Sequence, residues 1–450
     1  MKKIYQEIYK FLSNFFENLN DNHITYCVLR NYFSLPYDTK GSDIDILVYK
    51  DHFQLFRKIL EETTHKYNGK FIFKLNAERV LSLGIFFYTI KPFGIKFDIF
   101  SSYAGTNGCD ILPAKIFFEN SQLHNNIYVA NNNNAAILSL VKEIIGTGDT
   151  RKNYLQEAIT AYKENESYYK KILTEFWGLS TYEEIFEPLL TGKKQKFDIL
   201  KKQLKWKCLK RGITNAPLKY IYSRIIDVIL KIHRFVKPLG YSVAFIGTDG
   251  SGKSTIIEEI RPPLESALHS KIKYEHMRPN LLPSLASLLK GQKHEHGKQV
   301  TDPHGSKPSG FIGSFLRLFY YSLDYILGYW LKVYPDKVRK PCLYVFDRYF
   351  YDFMIDPARS RIALPKMIVT LIKQIIPEPD LVLCLGADPE VIHDRKPELP
   401  LGEVKRQINE LKKFCTKNSR AVWIDTGISV DESVEQALSA IVDCMAARYE

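Results

Sequence analysis

No stretch of this 450-residue chain reaches the ~20 consecutive apolar residues that a bilayer crossing takes. The nearest, Phe315 to Val333, is interrupted by Arg317, Asp324 and Lys332. A secretory leader is not expected, because the opening Met1-Lys2-Lys3-Ile4-Tyr5-Gln6-Glu7 is charged too early and too often. C-x-x-C pairs are missing. The seven cysteines (Cys27, Cys109, Cys208, Cys342, Cys384, Cys415 and Cys444) are scattered and odd in number. That argues against a zinc knuckle or a dithiol redox motif and suits thiols kept reduced in a cytoplasm. Cys342 and Cys384 lie in apolar runs and read as plain core. The histidines His269, His276, His294, His296 and His304 have no cysteine at metal-ligand spacing and read as polar loop residues. Acidic residues are in deficit, 50 against 63 Lys or Arg, for a formal net charge of +13. The excess favours anionic partners such as nucleotides, phosphorylated glycans or anionic lipid. No strand interleaves aromatic with basic residues in the RNA-binding manner, so nucleic acid is not the expected partner.

What the chain does have is length for two or three domains and a 45% hydrophobic content that can fill their cores. Its most specific stretch runs from Val243 to Thr255. The pattern Gly247-x4-Gly252-Lys253-Ser254 follows a β-branched and aromatic run, Tyr241 to Ile246, that reads as a buried parallel strand. Thr255 to Ile260 then reads as the first turns of a helix, which Pro262-Pro263 should stop. Strand, glycine loop and helix form the setting in which such a loop cradles phosphates. The backbone N–H groups of Gly247, Thr248, Gly250, Ser251, Gly252, Lys253, Ser254 and Thr255 can converge on an anion, helped by the helix N-terminus. Lys253 would reach the β- and γ-phosphates of ATP, and the Ser254 hydroxyl would hold Mg²⁺.

Downstream, Lys271–His276, Leu343–Phe346, Leu381–Leu385 and Ala421–Ile424 read as further strands separated by helical stretches. That alternation predicts a doubly wound α/β parallel sheet. Asp347-Arg348-Tyr349 falls at the carboxyl end of one strand, where such sheets bind ligands. An acid there can hold Mg²⁺ through water, and Arg348 can bridge phosphates. Arg395 and Lys396 stand at the start of a short segment that could close over ATP as a lid; a solvated helix end is the equal alternative. The Gly-, Lys-, His- and Pro-rich segment 285–312, with Val300 to Pro308 at its heart, reads as a mobile substrate loop.

Near the N-terminus, residues 1–20 read as an amphipathic helix and Ile24–Leu29 as a short strand. In Ser42-Asp43-Ile44-Asp45-Ile46-Leu47-Val48 two carboxylates alternate with isoleucines. Strand periodicity puts Asp43 and Asp45 on one face. Asp98, in Ile95–Phe100, would add a third acid from a neighbouring strand, making a candidate Mg²⁺ site. The Asn131–Asn134 run reads as a cap into a helix over Ala135–Ile145. Lys142, Arg151, Lys152 and Tyr154 beyond it would touch a phosphate or form a solvated face.

Two resemblances follow from these residues. Over roughly residues 20–165, the acids Asp43, Asp45 and Asp98 resemble the metal-binding trio of the nucleotidyltransferase superfamily, with its DNA polymerase β-like α+β fold. That family grips triphosphate with a Gly-Ser pair about ten residues before the first acid. In this chain that slot falls near Arg30-Asn31, and Gly41-Ser42 stands too close to Asp43 to replace it. The readings left open are an active transferase, an inactive or binding relative, and chance acids on an edge strand. Over about 240–450, the set Gly247–Thr255, Asp347-Arg348-Tyr349, Pro377-Glu378-Pro379-Asp380 and Ala387-Asp388-Pro389-Glu390 resembles the thymidylate kinase family. The resemblance implies ATP and Mg as cofactors and a homodimer. It implies that Asp249 contacts the acceptor's sugar and that Arg278 grips the acceptor's phosphate. Asp347, Arg348 and Tyr349 would handle metal and both substrates. Four features depart from that family: His276-Met277-Arg278-Pro279-Asn280 replaces its Arg-Glu-Pro-Gly-Gly stretch, the region 285–335 is longer and more aromatic, the lid is short, and an N-terminal half is attached. Chains of this style resemble thymidylate-kinase-like proteins of bacterial surface-polysaccharide gene sets.

Between the two lies a strongly basic stretch, 193–237, with fourteen Lys or Arg against Asp198 and Asp227. Its last part, Leu218 to Val236, carries apolar residues at helical spacing. The favoured reading is an interdomain helix packing that stripe on one domain; the other is peripheral contact with an anionic membrane. Three domains are thus expected: 1–134 nucleotidyltransferase-like, 135–238 helical and basic, 239–450 kinase-like. The first functional reading is an ATP- and Mg-dependent kinase of a nucleoside monophosphate or a phosphorylated or sugar-containing acceptor, in the cytoplasm. The alternatives are nucleotidyl transfer in the N-terminal half and an ATP-gated binding module at a membrane or anionic glycan.

Overall fold

The computed structural model describes residues 2–449 apart from 78, 107–108, 150–151, 194, 216 and 284–309. The segment expected as a mobile substrate loop therefore lies outside the described residues, as does Arg151. The chain divides into two compact units, one of Met1–Lys70 with Lys74–Ile232 and one of Phe71–Phe73 with His233–Glu450.

The first unit holds a seven-stranded mixed sheet built from β1 (Tyr26–Val28), β2 (Ile44–Val48), β3 (Gly69–Ala77), β4 (Val80–Phe87), β5 (Phe93–Ser101), β8 (Ser121–His124) and β9 (Ile127–Ala130). Their order is β3-β4-β5-β2-β1-β9-β8; β6 (Ala104–Thr106) and β7 (Cys109–Leu112) form a separate hairpin. β2 and β5 pair in parallel with Asp45 opposite Asp98. Alternation then sends Phe97 to one face of the sheet and Asp98 to the other. The helix Lys2–Asp21 covers the Phe97 face, its Phe15 ring lying 5.8 Å from Phe97 and its Phe11 ring 4.5 Å from Phe87. Each such aromatic burial is worth roughly 1.5–3 kcal/mol. The helix Asn132–Thr147, capped by the Asn131 side chain on the Asn134 N–H, packs with Leu47 and Phe100 on the other face.

The helices after residue 134 are not a domain of their own. Tyr162, Leu173, Phe186, Leu200 and Leu204 share one continuous core with Leu29, Leu47 and Phe100. The apolar residues of the helical segment join that cluster, so it belongs to the first unit's core.

The second unit is a five-stranded, all-parallel sheet of β10 (Tyr241–Ile246), β11 (Lys273–His276), β12 (Leu343–Asp347), β13 (Leu381–Gly386) and β14 (Ala421–Asp425). Their order is β11-β12-β10-β13-β14, so the winding reverses at β10. β10 and β13 are buried at every residue, as central parallel strands must be. The even-numbered Ala244, Ile246, Tyr344, Phe346, Val382 and Cys384 form one core with Leu318, Tyr325 and Leu411.

Two expectations need correction here. The helix after the glycine loop does not stop at the prolines; it runs Lys253–Leu268 with Pro262 and Pro263 inside it. An interior proline costs about 3 kcal/mol. Yet Ile256, Ile257, Ile260, Leu264 and Leu268 bury one face along the whole length. The carbonyls the prolines leave unbonded belong to Glu258 and Glu259, which are exposed to water. The thiols are not all reduced either: Cys27, Cys342, Cys384, Cys415 and Cys444 are free, but Cys208 is disulfide-bonded. Spacing along the chain does not register cysteines that folding brings together. Among the described residues, no helix is long and apolar enough to cross a membrane.

At the amino ends of β10 and β13, Asp380 ties the second unit together. It accepts from the Ser242 N–H at 2.7 Å, from Lys337 at 2.6 Å and from Arg448 at 2.8 Å. Burial opposes its ionisation, but Lys337 and Arg448 outweigh that and hold the carboxyl below its ordinary value. Lys337 is itself buried. Asp380→Ala leaves that ammonium without its carboxylate, and the expected loss is about 3–5 kcal/mol of unfolding free energy, read by urea denaturation. Because the folded-state pKa is depressed, the contribution is full at neutral pH and is lost only as pH falls through the lowered value. An unchanged midpoint for Asp380→Ala would show that the cluster carries no stability.

Candidate functional site

The glycine loop leaves the carboxyl end of β10 at the sheet's switch point, between β12 and β13. Close approach dictates its first glycine. A Cβ at Gly247 would sit 2.5 Å from the Leu385 carbonyl oxygen and 2.6 Å from Ser251 Oγ. Gly252, at φ +79°, starts the helix from a left-handed conformation that side chains disfavour. Lys253 is buried, and its Nζ donates to the carbonyls of Gly247 at 2.9 Å and Thr248 at 2.8 Å. The lysine thus folds back over its own loop. Burial first, then the neighbouring Arg348, pushes its pKa down to about 8. Ser254 and Thr255 are exposed on the first helical turn, whereas Thr248 and Ser251 are buried.

Asp347 ends β12 at the same edge of the sheet. One oxygen accepts from the Tyr274 hydroxyl at 2.8 Å and lies 3.8 Å from His276. The other, Oδ1, is buried and has no partner. Burial opposes ionisation, but the neighbouring His276, the Lys253 charge and the Tyr274 hydrogen bond outweigh it, and the pKa falls to about 2. A buried, ionised carboxylate with a free oxygen near a phosphate loop is what a divalent cation or its water needs. With the exposed Ser254 hydroxyl, these residues fit Mg²⁺.

Asp249, inside the loop, meets Arg348 at 2.5 Å and also pairs with Arg359. Burial raises its pKa, but Arg348, Arg359 and Lys253 reverse that and hold the carboxyl well below its ordinary range. So weak a base suits holding arginines and accepting hydrogen bonds, not abstracting protons. Arg348 adopts φ +75° and also faces the buried Asp352, at 3.6 Å, whose carboxyl burial pushes up.

The structure brings together Asp249, Lys253, Asp347 and Arg348, as the sequence led us to expect, and adds Arg359, Asp352 and Tyr274. Other expected residues hold different partners. Arg278 is buried against Asp324 at 2.9 Å, its guanidinium 4.8 Å from the Tyr321 ring. Tyr349 is a core residue, corrected from an acceptor contact: its ring packs on Tyr325 and its hydroxyl donates to the Pro377 carbonyl at 2.5 Å. Arg395 donates to the Thr426 carbonyl at 2.8 Å. Lys396, beside it, lies next to the loop, where a Cβ at Gly250 would be 3.1 Å from the Lys396 Cβ, and its ammonium pairs with Glu398 at 3.2 Å.

In the first unit, one oxygen from each of Asp43, Asp45 and Asp98 lies within 4.8 Å of the others. The chain's own cations hold these acids. Asp45, fully buried, accepts from Arg30 at 2.6 Å and Lys142 at 2.8 Å. Lys96 bridges Asp43 at 3.3 Å and Asp98 at 3.1 Å, and Ser82 donates to Asp98 at 2.5 Å. Burial opposes the ionisation of Asp45, but Lys142 and Arg30 depress its pKa well below the usual range. A divalent ion here would have to displace Lys96. Arg30, standing where a Gly-Ser grip was sought, is turned to the acid. A cleft of about 500 Å³ opens beside it, lined among others by Asn31, Tyr32, Asn132 and Tyr154.

No protein-family model matches the chain, and no curated protein matches it.

Replacing Asp45 with Asn removes the charge that Arg30 and Lys142 share. The expected cost is about 3–5 kcal/mol in the first unit. The check is a thermal or urea transition followed in that unit. A mere few tenths of a kcal/mol would mean that the two cations find water or another partner.

Proposed function

We propose that the second unit is an ATP- and Mg²⁺-dependent phosphotransferase of the thymidylate-kinase-like type, acting on a nucleoside monophosphate or another phosphorylated or sugar-containing acceptor. The observation that carries this reading is one convergence. A phosphate loop with its lysine, an acid with a free buried oxygen, and an Asp249–Arg348–Arg359 cluster all meet where β10 and β12 end.

In the reaction, an acceptor oxygen forms a bond to the γ-phosphorus of ATP as the bond to the β,γ-bridging oxygen breaks, and ADP leaves. Little covalent chemistry falls to the protein; positioning and charge neutralisation carry the rate. The loop N–H groups and Lys253 hold the β- and γ-phosphates. Ser254, and Asp347 through water, would hold Mg²⁺, whose charge would further neutralise those oxygens. Arg348, kept charged and oriented by Asp249 and Asp352, faces the transferred group, and Arg359 extends that cation pair. Asp249 orients the arginines and the acceptor's hydroxyl. Lys396 is better placed than Arg395 to close over the nucleotide. A cytoplasmic setting, where ATP is supplied, goes with this reading.

A second reading places nucleotidyl transfer at Asp43, Asp45 and Asp98, and the specific observation in its favour is their convergence across β2 and β5. The bound cations Lys96, Lys142 and Arg30 make it the weaker of the two.

The two separate cleanly in one experiment. Lys253→Ala should lower ATP turnover with a panel of nucleoside monophosphates and phosphosugars by ~10²–10³-fold, while Asp43→Asn leaves it within about twofold. The opposite pattern would move the chemistry to the first unit. A wild-type protein that neither binds nor turns over ATP would falsify both.

A further inference from the structure

The basic stretch between the two halves was expected to hide its apolar stripe against a domain. The structure turns it the other way. In the helix Pro217–Val236, Leu218, Ile221, Tyr222, Ile225, Ile229 and Ile232 fall on one side at helical spacing, and each is more than half exposed. The opposite side holds Tyr220, Ser223 and Asp227. Ser223 is buried, and Asp227 pairs with Arg224 at 3.1 Å. A surface helix normally buries its apolar stripe; this helix leaves its stripe exposed and buries Ser223 on the other side. The preceding helix, Phe197–Asn215, repeats the feature with Ile199, Trp206 and Ile213, all exposed and seven residues apart. Lys202, Lys205 and Lys210 are exposed among them.

Charge tells what covers this face. Segment 193–237 carries fourteen cations and two acids, so it holds about twelve of the thirteen net positive charges of the chain. A second copy would bring the same positive field against itself. Nucleic acid would meet the charge but not an aliphatic stripe, since such interfaces are polar and wet. An anionic bilayer meets both. Aliphatic side chains enter the headgroup–acyl boundary, lysines stay at the phosphates, and tryptophan and tyrosine sit between. We propose that the helices Phe197–Asn215 and Pro217–Val236 form a docking surface for an anionic lipid membrane. The protein lies on the bilayer without crossing it. This inference does not depend on the phosphotransferase reading.

The test uses the full chain with vesicles of phosphatidylcholine alone or with about one-third phosphatidylglycerol. Co-sedimentation should appear with the anionic vesicles, be weak with the neutral ones, and fall as salt is raised. Ile225→Asp with Ile229→Asp should reduce partitioning by about tenfold or more. Both positions are exposed, and circular dichroism checks that the variant stays folded. Lys202→Glu with Lys205→Glu tests charge at a second place and should weaken binding to anionic vesicles only. On vesicles, the wild-type tryptophan emission should shift to the blue, and Trp206→Phe should lose most of that shift. The proposal is overturned if the wild type ignores anionic vesicles at low salt, or if the aspartate pair binds them as well as wild type. It is also overturned if the aspartate pair only converts a dimer to a monomer, or if a DNA oligomer binds at the Lys202 site and vesicles do not.

Discussion

Five parallel strands send all their carboxyl ends to one side of a sheet and all their amino ends to the other. The second unit distributes its buried charge by that polarity. At the amino ends, Asp380 is saturated: Ser242, Lys337 and Arg448 leave neither oxygen unpaired. At the carboxyl ends, Asp347 keeps a buried oxygen without a partner, and Lys253 has only its own loop's backbone and a distant Ser251 hydroxyl. Leaving a buried polar atom unsatisfied costs about 1–3 kcal/mol. A fold tolerates that where a ligand can later supply the missing contact. The satisfied end gives the sheet its stability, and the unsatisfied end is free to respond to what binds.

The first unit faces the same problem and solves it internally. Asp43, Asp45 and Asp98 would repel one another across β2 and β5, and Arg30, Lys96 and Lys142 come from three different elements to neutralise them. Three acids against three cations leave the cluster without net charge. The cluster also locks together the β1–β2 connection, β5 and the helix Asn132–Thr147, so it stabilises the sheet's topology whatever else it does.

The local features were legible in the sequence. The glycine loop announces itself because its geometry needs particular residues within nine positions. All five strands of the second unit stand near where their apolar runs placed them. Period two put Asp43 and Asp45 on one face, but the pairing of Asp45 with Asp98 rests on strand order and register, which periodicity does not give. What could not be read was contact across long separations and the direction in which a helix faces. Arg359 lies 110 residues from Asp249, and Lys142 lies 97 from Asp45; an ion pair leaves no periodic trace between such partners. Periodicity grouped Leu218, Ile225 and Ile232 on one face but could not say that the face looks outward. Tyr349 was drawn to a ligand role by its neighbours Asp347 and Arg348, although its ring was needed in the core. Pro262 and Pro263 carried a strong local stop signal, and burial of a helix face overrode it.

Lys253 has one more consequence. Its ammonium is bound to the Gly247 and Thr248 carbonyls, so a phosphate at this loop would compete with the protein's own backbone for it. Binding here is an exchange of partners, and the net gain is what the newcomer offers beyond two hydrogen bonds. A lone inorganic phosphate, reaching few of the loop's N–H groups, gains little from that exchange. A polyphosphate that spans the loop gains from every N–H it meets. Under the proposed phosphotransferase role, the lysine would favour longer phosphate chains before any part of a ligand's base or sugar is read.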